Sequence, residues 1–285
     1  NVAPVNPSAV LSSVERNVVA CSVDGSVIEN RKQLVSLLRA IAYEEEYFDR
    51  AAMLIAELVL PGDAQNNMSE PHAVFNSLFY LYLSGTHATA EQRVAVLKQV
   101  LHKEGPQASE LFSKGLNNML QTSHFTSTHS FEFGAHKRDH GYRPRTREDI
   151  SEWFSAVFGL CAELVASGHP LSASIRQELS SRFRCIVEDT GLVDELVDLG
   201  KRCHEHGGWP QGWVGVRSAI KSANKHNRLE DVAKLEPLVE LLSPKSLQSL
   251  VTAYVLPQEY SFLDLTDIEF DNDERYEKAN LPVED

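Results

Sequence analysis

The sequence predicts an all-α protein, organised as an α-solenoid of degenerate HEAT- or TPR-like helical repeats. Apolar residues recur at spacings of three and four through most of residues 6–256, and no convincing alternating strand precedes residue 258. Helix-starting and helix-ending residues separate these runs. Twelve helices with short connections are expected, near 7–19, 31–42, 44–60, 71–83, 90–104, 107–121, 147–167, 172–188, 191–205, 211–224, 228–242 and 244–255.

Proline and capping side chains set the helix starts in chain order. Proline lacks the N–H that a first helical turn leaves unpaired, and it opens four helices at Asn6-Pro7, Glu70-Pro71, Trp209-Pro210 and Ser243-Pro244. Thr89 and Gln92 have the spacing of a capping box, in which two side chains satisfy unpaired backbone donors. Thr146 and Asp149 form a looser version at the start of the seventh helix.

The packing of these helices follows from the width of their apolar faces. In the third helix the apolar positions cover more than one stripe, as in a helix packed between two neighbours; they include Phe48, Ala51, Leu54, Ile55 and Leu58. Such pairs build a right-handed solenoid or a compact bundle, which composition does not separate. The predicted regions are helical repeats at 1–121, a long ordered central loop at 122–146, further repeats at 147–257 and an acidic extended tail at 258–285.

The acidic tail carries most of the formal net charge of -13. Ten acidic residues stand there against Arg275 and Lys278, with apolar residues such as Phe262 and Phe270 among them. The rest of the chain is close to neutral, so the total does not indicate a general preference for basic partners. This mixture suits an extended strap on the helical body, a strand that pairs with another part of a longer protein, or a frayed terminus.

The cysteine usage and the hydropathy predict a cytoplasmic protein outside the membrane. The four cysteines form no C-x-x-C pair, which favours free thiols in a reducing compartment. No apolar run reaches the roughly 18 residues that a spanning helix needs. The start at Asn1 lacks the basic and apolar regions of a secretory signal, and a segment of a longer protein is expected.

The central loop holds the main candidate binding residues. Basic groups beside aromatic rings can hold phosphates while stacking bases, and the candidates here are Phe131, Phe133, Arg138, His140, Tyr142, Arg143 and Arg145. A second interpretation is structural: the aromatic rings plug the groove of the array, and arginines bind carbonyls at helix ends. Loops of this size often order themselves through their own side chains.

A second candidate surface is the glycine- and tryptophan-rich turn from Gly207 to Trp213. The glycine pair permits a left-handed helix end, and Pro210 starts the next helix. Trp209 and Trp213 are interpreted as a wedge between repeats, with an aromatic ligand cage as the minor alternative.

Catalysis and metal binding have no supporting motif in the sequence. The loop histidines His124, His129, His136 and His140 match no known ligand spacing, and no second cluster complements Cys203-His204-Glu205-His206. No phosphate-binding loop, nucleophile elbow, His-Glu-x-x-His or dinucleotide fingerprint is present. The predictions are no enzyme activity, no metal and no cofactor.

Four stretches carry a family resemblance: YEEEYFDRAAMLIAEL from Tyr43, NSLFYLYLSGTHATAEQRVAVLKQVL from Asn76, HSFEFGAHKRDHGYRPRTREDISEWF from His129 and GGWPQGWVGVRSAI from Gly207. In this order they resemble the helical-repeat region of large multidomain bacterial proteins that carry a STAND-type NTPase or a sirtuin-like effector elsewhere. The phrase from Phe131 to Thr146 is the most specific part. The resemblance implies anti-phage defence, with the helical array sensing a foreign protein. This sequence contains neither the NTPase phosphate loop nor an effector.

Three functional hypotheses follow. The first is a non-catalytic sensor or scaffold segment of a larger bacterial protein, which recognises a phage protein or other domains of the parent chain, or acts in autoinhibition. The second is nucleic-acid or nucleotide binding through the basic and aromatic part of the loop, residues 131–147. The third is a metal-dependent hydrolase that uses the loop histidines or the cluster from Cys203 to His206.

Overall fold

The computed structural model describes residues 6–24, 31–60, 70–103, 105–123, 132–133 and 136–246, and over these ranges the protein is all-α. The eleven helices within these ranges are α1 (Pro7–Asp24), α2 (Arg31–Ile41), α3 (Glu45–Val59), α4 (Glu70–Ser77), α5 (Ala90–Leu101), α6 (Pro106–Met119), α7 (Arg147–Ala166), α8 (Ser172–Thr190), α9 (Val193–Glu205), α10 (Pro210–Lys225) and α11 (Leu229–Leu242).

The helices pack chiefly on neighbours that are one or two helices away in the chain. The odd-numbered helices form one row, in which α1, α3, α5, α7, α9 and α11 each pack on the next. The even-numbered helices α2, α4, α6, α8 and α10 form a second row in the same way. We call these the odd row and the even row. Pairs such as α2 with α3, α5 with α6 and α10 with α11 join the two rows.

The predicted helix starts are confirmed at most positions. Pro7 and Pro210 begin α1 and α10, and Thr89 and Thr146 each form a capping box at the start of α5 and α7. In each box the threonine hydroxyl accepts from the backbone N–H three residues on. The predicted twelfth helix is not seen at residues 243–246, which are not helical, and its remainder lies outside the described residues, as does the acidic tail.

The fourth helix differs from its prediction. It ends at Ser77 instead of continuing to residue 83. Residues 78–88 form an irregular loop, in which Leu83 and Gly85 adopt left-handed φ values of 56° and 64°. The apolar spacing of this stretch comes from burial of Leu78, Phe79 and Leu81 in the core, not from a helix. The backbone carbonyls of this 78–88 loop are satisfied by two arginines, described below.

The central loop contains the two short strands of the described chain, which the sequence pattern did not predict. β1 (Glu132–Phe133) pairs antiparallel with β2 (His136–Lys137), and Phe133 lies opposite His136. From residue 138 the chain runs along the 78–88 loop and then enters α7 at Arg147. The hairpin is an insertion at the connection between α6 and α7 and leaves the all-α class unchanged.

Candidate interaction site at the central loop

Arg93 organises the 78–88 loop from the core. Its side chain is 0% exposed on α5. The guanidinium donates to the carbonyls of Tyr80 and Ala88, at 3.1 Å and 3.2 Å. It also donates to the Leu78 and Thr86 carbonyls and to the Ser84 hydroxyl. A planar guanidinium with five N–H donors suits this task, because several acceptors converge on one point.

Arg39 of α2 binds the same loop from the other side. It is 7% exposed and donates to the carbonyls of Ser84 and Gly85, at 2.6 Å and 3.1 Å. Burial lowers the pKa of Arg93 to about 9, and burial together with the nearby charge of Arg138 lowers the pKa of Arg39 to about 10. Both values lie above neutrality, so both guanidinium groups keep their charge at pH 7 and the loop is held by charge-assisted hydrogen bonds.

The central loop docks on the 78–88 loop through backbone pairing. The Gly85 N–H donates to the His140 carbonyl at 2.9 Å, and the Tyr142 N–H donates to the Thr86 carbonyl at 2.8 Å. Between these bonds Gly141 adopts φ +83°, and a Cβ there would lie 2.4 Å from the Thr86 nitrogen. Glycine is therefore required at this crossing. We call residues 138–142 the docked segment.

Tyr43, His87 and Asp139 form a polar cluster at the edge of the docked segment. The Tyr43 hydroxyl donates to Asp139 Oδ1 at 2.9 Å, and His87 Nε2 lies 3.0 Å from the same oxygen. The Gly141 N–H donates to Asp139 Oδ1 at 2.8 Å. The rings of Tyr43 and His87 meet edge to face with their centroids 4.9 Å apart. Three elements that are distant in sequence therefore share one carboxylate.

The ionised form of Asp139 is the one that this cluster favours. Burial alone would raise the pKa of Asp139, but the hydrogen bonds from Gly141 and Tyr43 and the neighbouring His87 outweigh it, so the pKa is lowered. Burial, and then the hydrogen bond to Asp139, raise the pKa of Tyr43. Because the folded pKa of Asp139 is depressed, its contribution to docking is present above the unfolded pKa of about 3.9 and is lost as pH falls further.

Replacing Asp139 with Asn removes this charge with little change of shape. We expect the amides of Gly85 and Tyr142, which pair the two loops, to exchange with solvent roughly tenfold faster, because a hydrogen bond to a charged group contributes about 1.5 kcal/mol. Site-resolved hydrogen exchange at neutral pH measures this. Asp198→Asn, on an exposed helical carboxylate, is the control. Unchanged exchange at both amides in the Asp139 variant would show that the cluster does not hold the loop.

Arg138 clamps the docked segment to the start of α3. Its guanidinium donates to the Ala40 carbonyl, lies 3.5 Å from a Glu44 carboxylate oxygen and stacks over the Tyr43 ring at 4.2 Å. The side chain is only 11% exposed. Together with the bond from Arg147 to the Gly191 carbonyl, this matches the structural interpretation, in which loop arginines bind carbonyls at helix ends.

Tyr142 anchors the other end of the docked segment. Its ring stacks on Trp153 of α7 with centroids 5.7 Å apart and an interplanar angle of 18°. Trp153 is fully buried, donates to the Met119 carbonyl at 2.9 Å and lies under the Arg93 guanidinium at 5.0 Å. One face of the Tyr142 ring is thus occupied within the protein.

The exposed part of the site is the arginine-rich segment that follows the docked segment and leads into α7. Arg143 and Arg145 are exposed. The His140 side chain is exposed too, but the backbone carbonyl of His140 accepts the hydrogen bond from Gly85 that joins the two loops. Beside them an open cleft of about 500 Å³ lies between the start of α7 and the end of α8, lined by residues that include Pro144, Arg145, Thr146, Glu188 and Asp189. This cleft mixes both signs of charge, so it suits a polar protein surface better than a purely anionic ligand.

The two tryptophans of the second candidate surface differ in exposure. Trp209 is 2% exposed, donates to the Arg176 carbonyl at 2.8 Å and packs on Phe183, so it is a core residue and cannot bind a ligand at the surface. Trp213 is half-buried beneath Arg217, whose guanidinium lies 4.7 Å from the ring. Of the candidate loop aromatics, Phe133 lies in β1, and Phe131 lies outside the described residues.

The cysteine and histidine cluster has poor metal-binding chemistry. Cys203 is buried, and burial raises the pKa of its thiol to about 11, so it is protonated at neutral pH. A metal ligand must be the thiolate. Throughout the ranges that the structure describes, no three His, Cys, Asp or Glu side chains come together as a metal-binding group. Nor is any helix in these ranges both long and apolar enough to span a membrane.

Comparisons with known proteins give no evidence about the function of this chain. No protein family, curated protein or solved structure matches this chain.

Proposed function

We propose that the chain is a non-catalytic α-solenoid that recognises a protein partner through its central loop. Two features support a HEAT-like array: helices pack on near neighbours in two continuous rows, and buried tryptophans fill the spaces between successive helices. The observation that carries the recognition role is the docking of residues 138–142 on the Arg93-organised loop. It holds the exposed segment from Arg143 to Arg145 next to a rigid support.

The sequence resemblance extends this proposal to a biological setting. A helical array of this kind would be the sensor part of a bacterial cytoplasmic defence protein, with the effector in another part of the parent chain. A phage structural protein is then the partner to test first. The polar cluster of Tyr43, His87 and Asp139 serves this recognition by holding the loop, because Tyr43, His87 and the Gly141 N–H all meet at the same Asp139 oxygen.

Charge reversal of Arg143 and Arg145 tests the proposal without disturbing the docked segment. Both side chains are exposed, whereas the Arg138 side chain is only 11% exposed and holds the docked segment, so it must be left intact. The assay is a pull-down with phage structural proteins. We expect the double variant to bind the phage protein that the wild type retains about tenfold more weakly, equivalent to 1.4 kcal/mol. Reversal of the exposed pair Lys201 and Arg202 on α9 is the matched control. Equal affinity of the loop variant and wild type would remove the loop from recognition.

Nucleic-acid binding is the second candidate, favoured by three exposed arginines, Arg143, Arg145 and Arg147, which lie close together where the central loop enters α7. Phosphate contacts require an affinity that falls steeply with salt. A titration of a fluorescent single-stranded oligonucleotide at 50 and at 200 mM salt decides the question, because three phosphate contacts to a single strand would lose affinity by about 20-fold over this range. No binding at the lower concentration would end this reading.

A further inference from the structure

The two rows of helices carry opposite charge. The odd-row helices contain nineteen Asp and Glu against eight Lys and Arg, whereas the even-row helices contain ten Lys and Arg against five Asp and Glu. A net charge near neutrality outside the acidic tail therefore hides an acidic surface on one row and a basic surface on the other. Basic surfaces of this kind attract acidic segments over distances of about 10 Å at moderate salt.

Positive charge runs along α10, whereas one of the three cations of α2, Arg39, is buried and bound to backbone carbonyls. The α10 helix has no acidic residue along its 16 residues. Trp213, Arg217, Lys221 and Lys225 follow each other at intervals of four, so they form one ridge along the helix. Lys221 and Lys225 are exposed, and Trp213 and the adjacent Ile220 are half-buried. The ridge thus combines cations with a strip of accessible apolar surface.

We propose that the acidic tail of this chain, residues 258–285, binds along the α10 ridge. The tail complements both the cations and the apolar strip of the ridge. Its ten carboxylates lie among apolar side chains, which include Phe262, Leu263, Leu265, Ile268, Phe270 and Tyr276. The arginines of the central loop are a poorer match. Arg145 and Arg147 stand beside Glu148, Asp149 and Asp189, whose carboxylates would repel the tail.

The chain length between the two partners allows this contact. The described chain reaches Ser246, just after α11, and α11 packs directly on α10. Residues 247–257 connect it to the acidic tail and can span roughly 36 Å when extended, against about 24 Å for the whole length of α10. The extended connection is therefore longer than the helix that carries the ridge. Docked there, the tail would cover the cations of the α10 ridge and leave the arginines of the central loop accessible.

Carbodiimide crosslinking of the full chain tests this contact directly, since it joins lysines to carboxylates that already touch. We expect peptides that link Lys221 or Lys225 to residues 258–285, with at least a tenfold lower yield in 1 M NaCl, where the screening length is about 3 Å. Lys201, exposed on the odd row, is the control and should not link to the tail. Absence of tail links to α10, or equal links to Lys201, would overturn the proposal.

Two further measurements separate the alternatives. Crosslinks between ¹⁴N- and ¹⁵N-labelled chains in a mixture would overturn docking within one chain and identify a second copy as the occupant. A variant with Asp271, Asp273, Glu274 and Glu277 neutralised should lose the crosslinks and bind a single-stranded oligonucleotide at least tenfold more tightly than wild type. Equal binding by both proteins would show that the tail does not cover the ridge. These readouts need no phage protein, so they can fail or succeed independently of the proposed partner recognition.

Discussion

Replacing Arg93 with Met is expected to destabilise the protein by about 3–5 kcal/mol, the range seen when one member of a buried polar network is removed. Methionine fills a similar volume but donates no hydrogen bond. The carbonyls of Leu78, Tyr80 and Ala88 would then be buried without their donor, at about 1–3 kcal/mol each before the loop relaxes. The free energy of unfolding from a urea titration measures the loss.

Two further variants make this result specific. Arg50→Met alters an arginine that is 38% exposed and paired with Glu15, and it should cost no more than about 1 kcal/mol. Arg93→Lys keeps the charge, yet one ammonium cannot reach all the acceptors, so an intermediate loss is expected. If Arg93→Met does not fold, the loss in the free energy of unfolding can still be measured with the lysine variant. Equal unfolding free energies for the Arg93 and Arg50 methionine variants would disprove the role of Arg93.

Gly141→Ala should detach the docked segment and cost about 2–4 kcal/mol. A left-handed conformation costs a residue with a Cβ about 1–2 kcal/mol. In addition, the new Cβ would lie 2.4 Å from the Thr86 nitrogen and 2.6 Å from its oxygen, which are backbone atoms without room to move. Both inter-loop hydrogen bonds, from Gly85 and from Tyr142, flank this point. Urea unfolding and the exchange rates of these two amides measure the effect.

Gly168→Ala is a control that separates the cost of a left-handed backbone from the cost of the Cβ clash with Thr86. Gly168 has a similar φ of +65°, but nothing lies within 4 Å of the position that its Cβ would take. It should therefore show the conformational cost alone, about 1–2 kcal/mol, with no change in the exchange of the Gly85 and Tyr142 amides. A Gly141 variant that lost no more stability than the Gly168 variant would mean that the two loops do not touch as described.

The helices were predictable because their signals are local. Pro7, Pro210 and the capping boxes at Thr89 and Thr146 act within one turn of the helix that they start. The early end of α4 could not be predicted in this way, because the conformation of the 78–88 loop depends on Arg93, which lies on a different helix. One signal did exist. Arg93 stands at a core-facing position of α5, three residues after Ala90 and three before Val96, where a charge requires buried partners.

The candidate site was only partly accessible to sequence reasoning. The central loop was recognised from its length and composition, and Arg138, Tyr142, Arg143 and Arg145 lie in or beside the docked region. The contributions of Tyr43 and His87 were missed, because each reaches Asp139 only through the tertiary packing of separate elements. Burial decided the roles of the aromatic residues, and neither the core position of Trp209 nor the stacking of Tyr142 can be read from spacing alone.

The docked segment also determines the order in which the chain reaches its fold. Helices that pack on near neighbours close short loops and form quickly, whereas the hydrogen bond from Tyr43 to Asp139 closes a separation of 96 residues. Docking is therefore a late event, and its loss accelerates unfolding while leaving the folding rate nearly unchanged. During synthesis, the helices up to α6 are translated before residues 138–142, so the 78–88 loop lacks its docking partner until translation has passed the central loop.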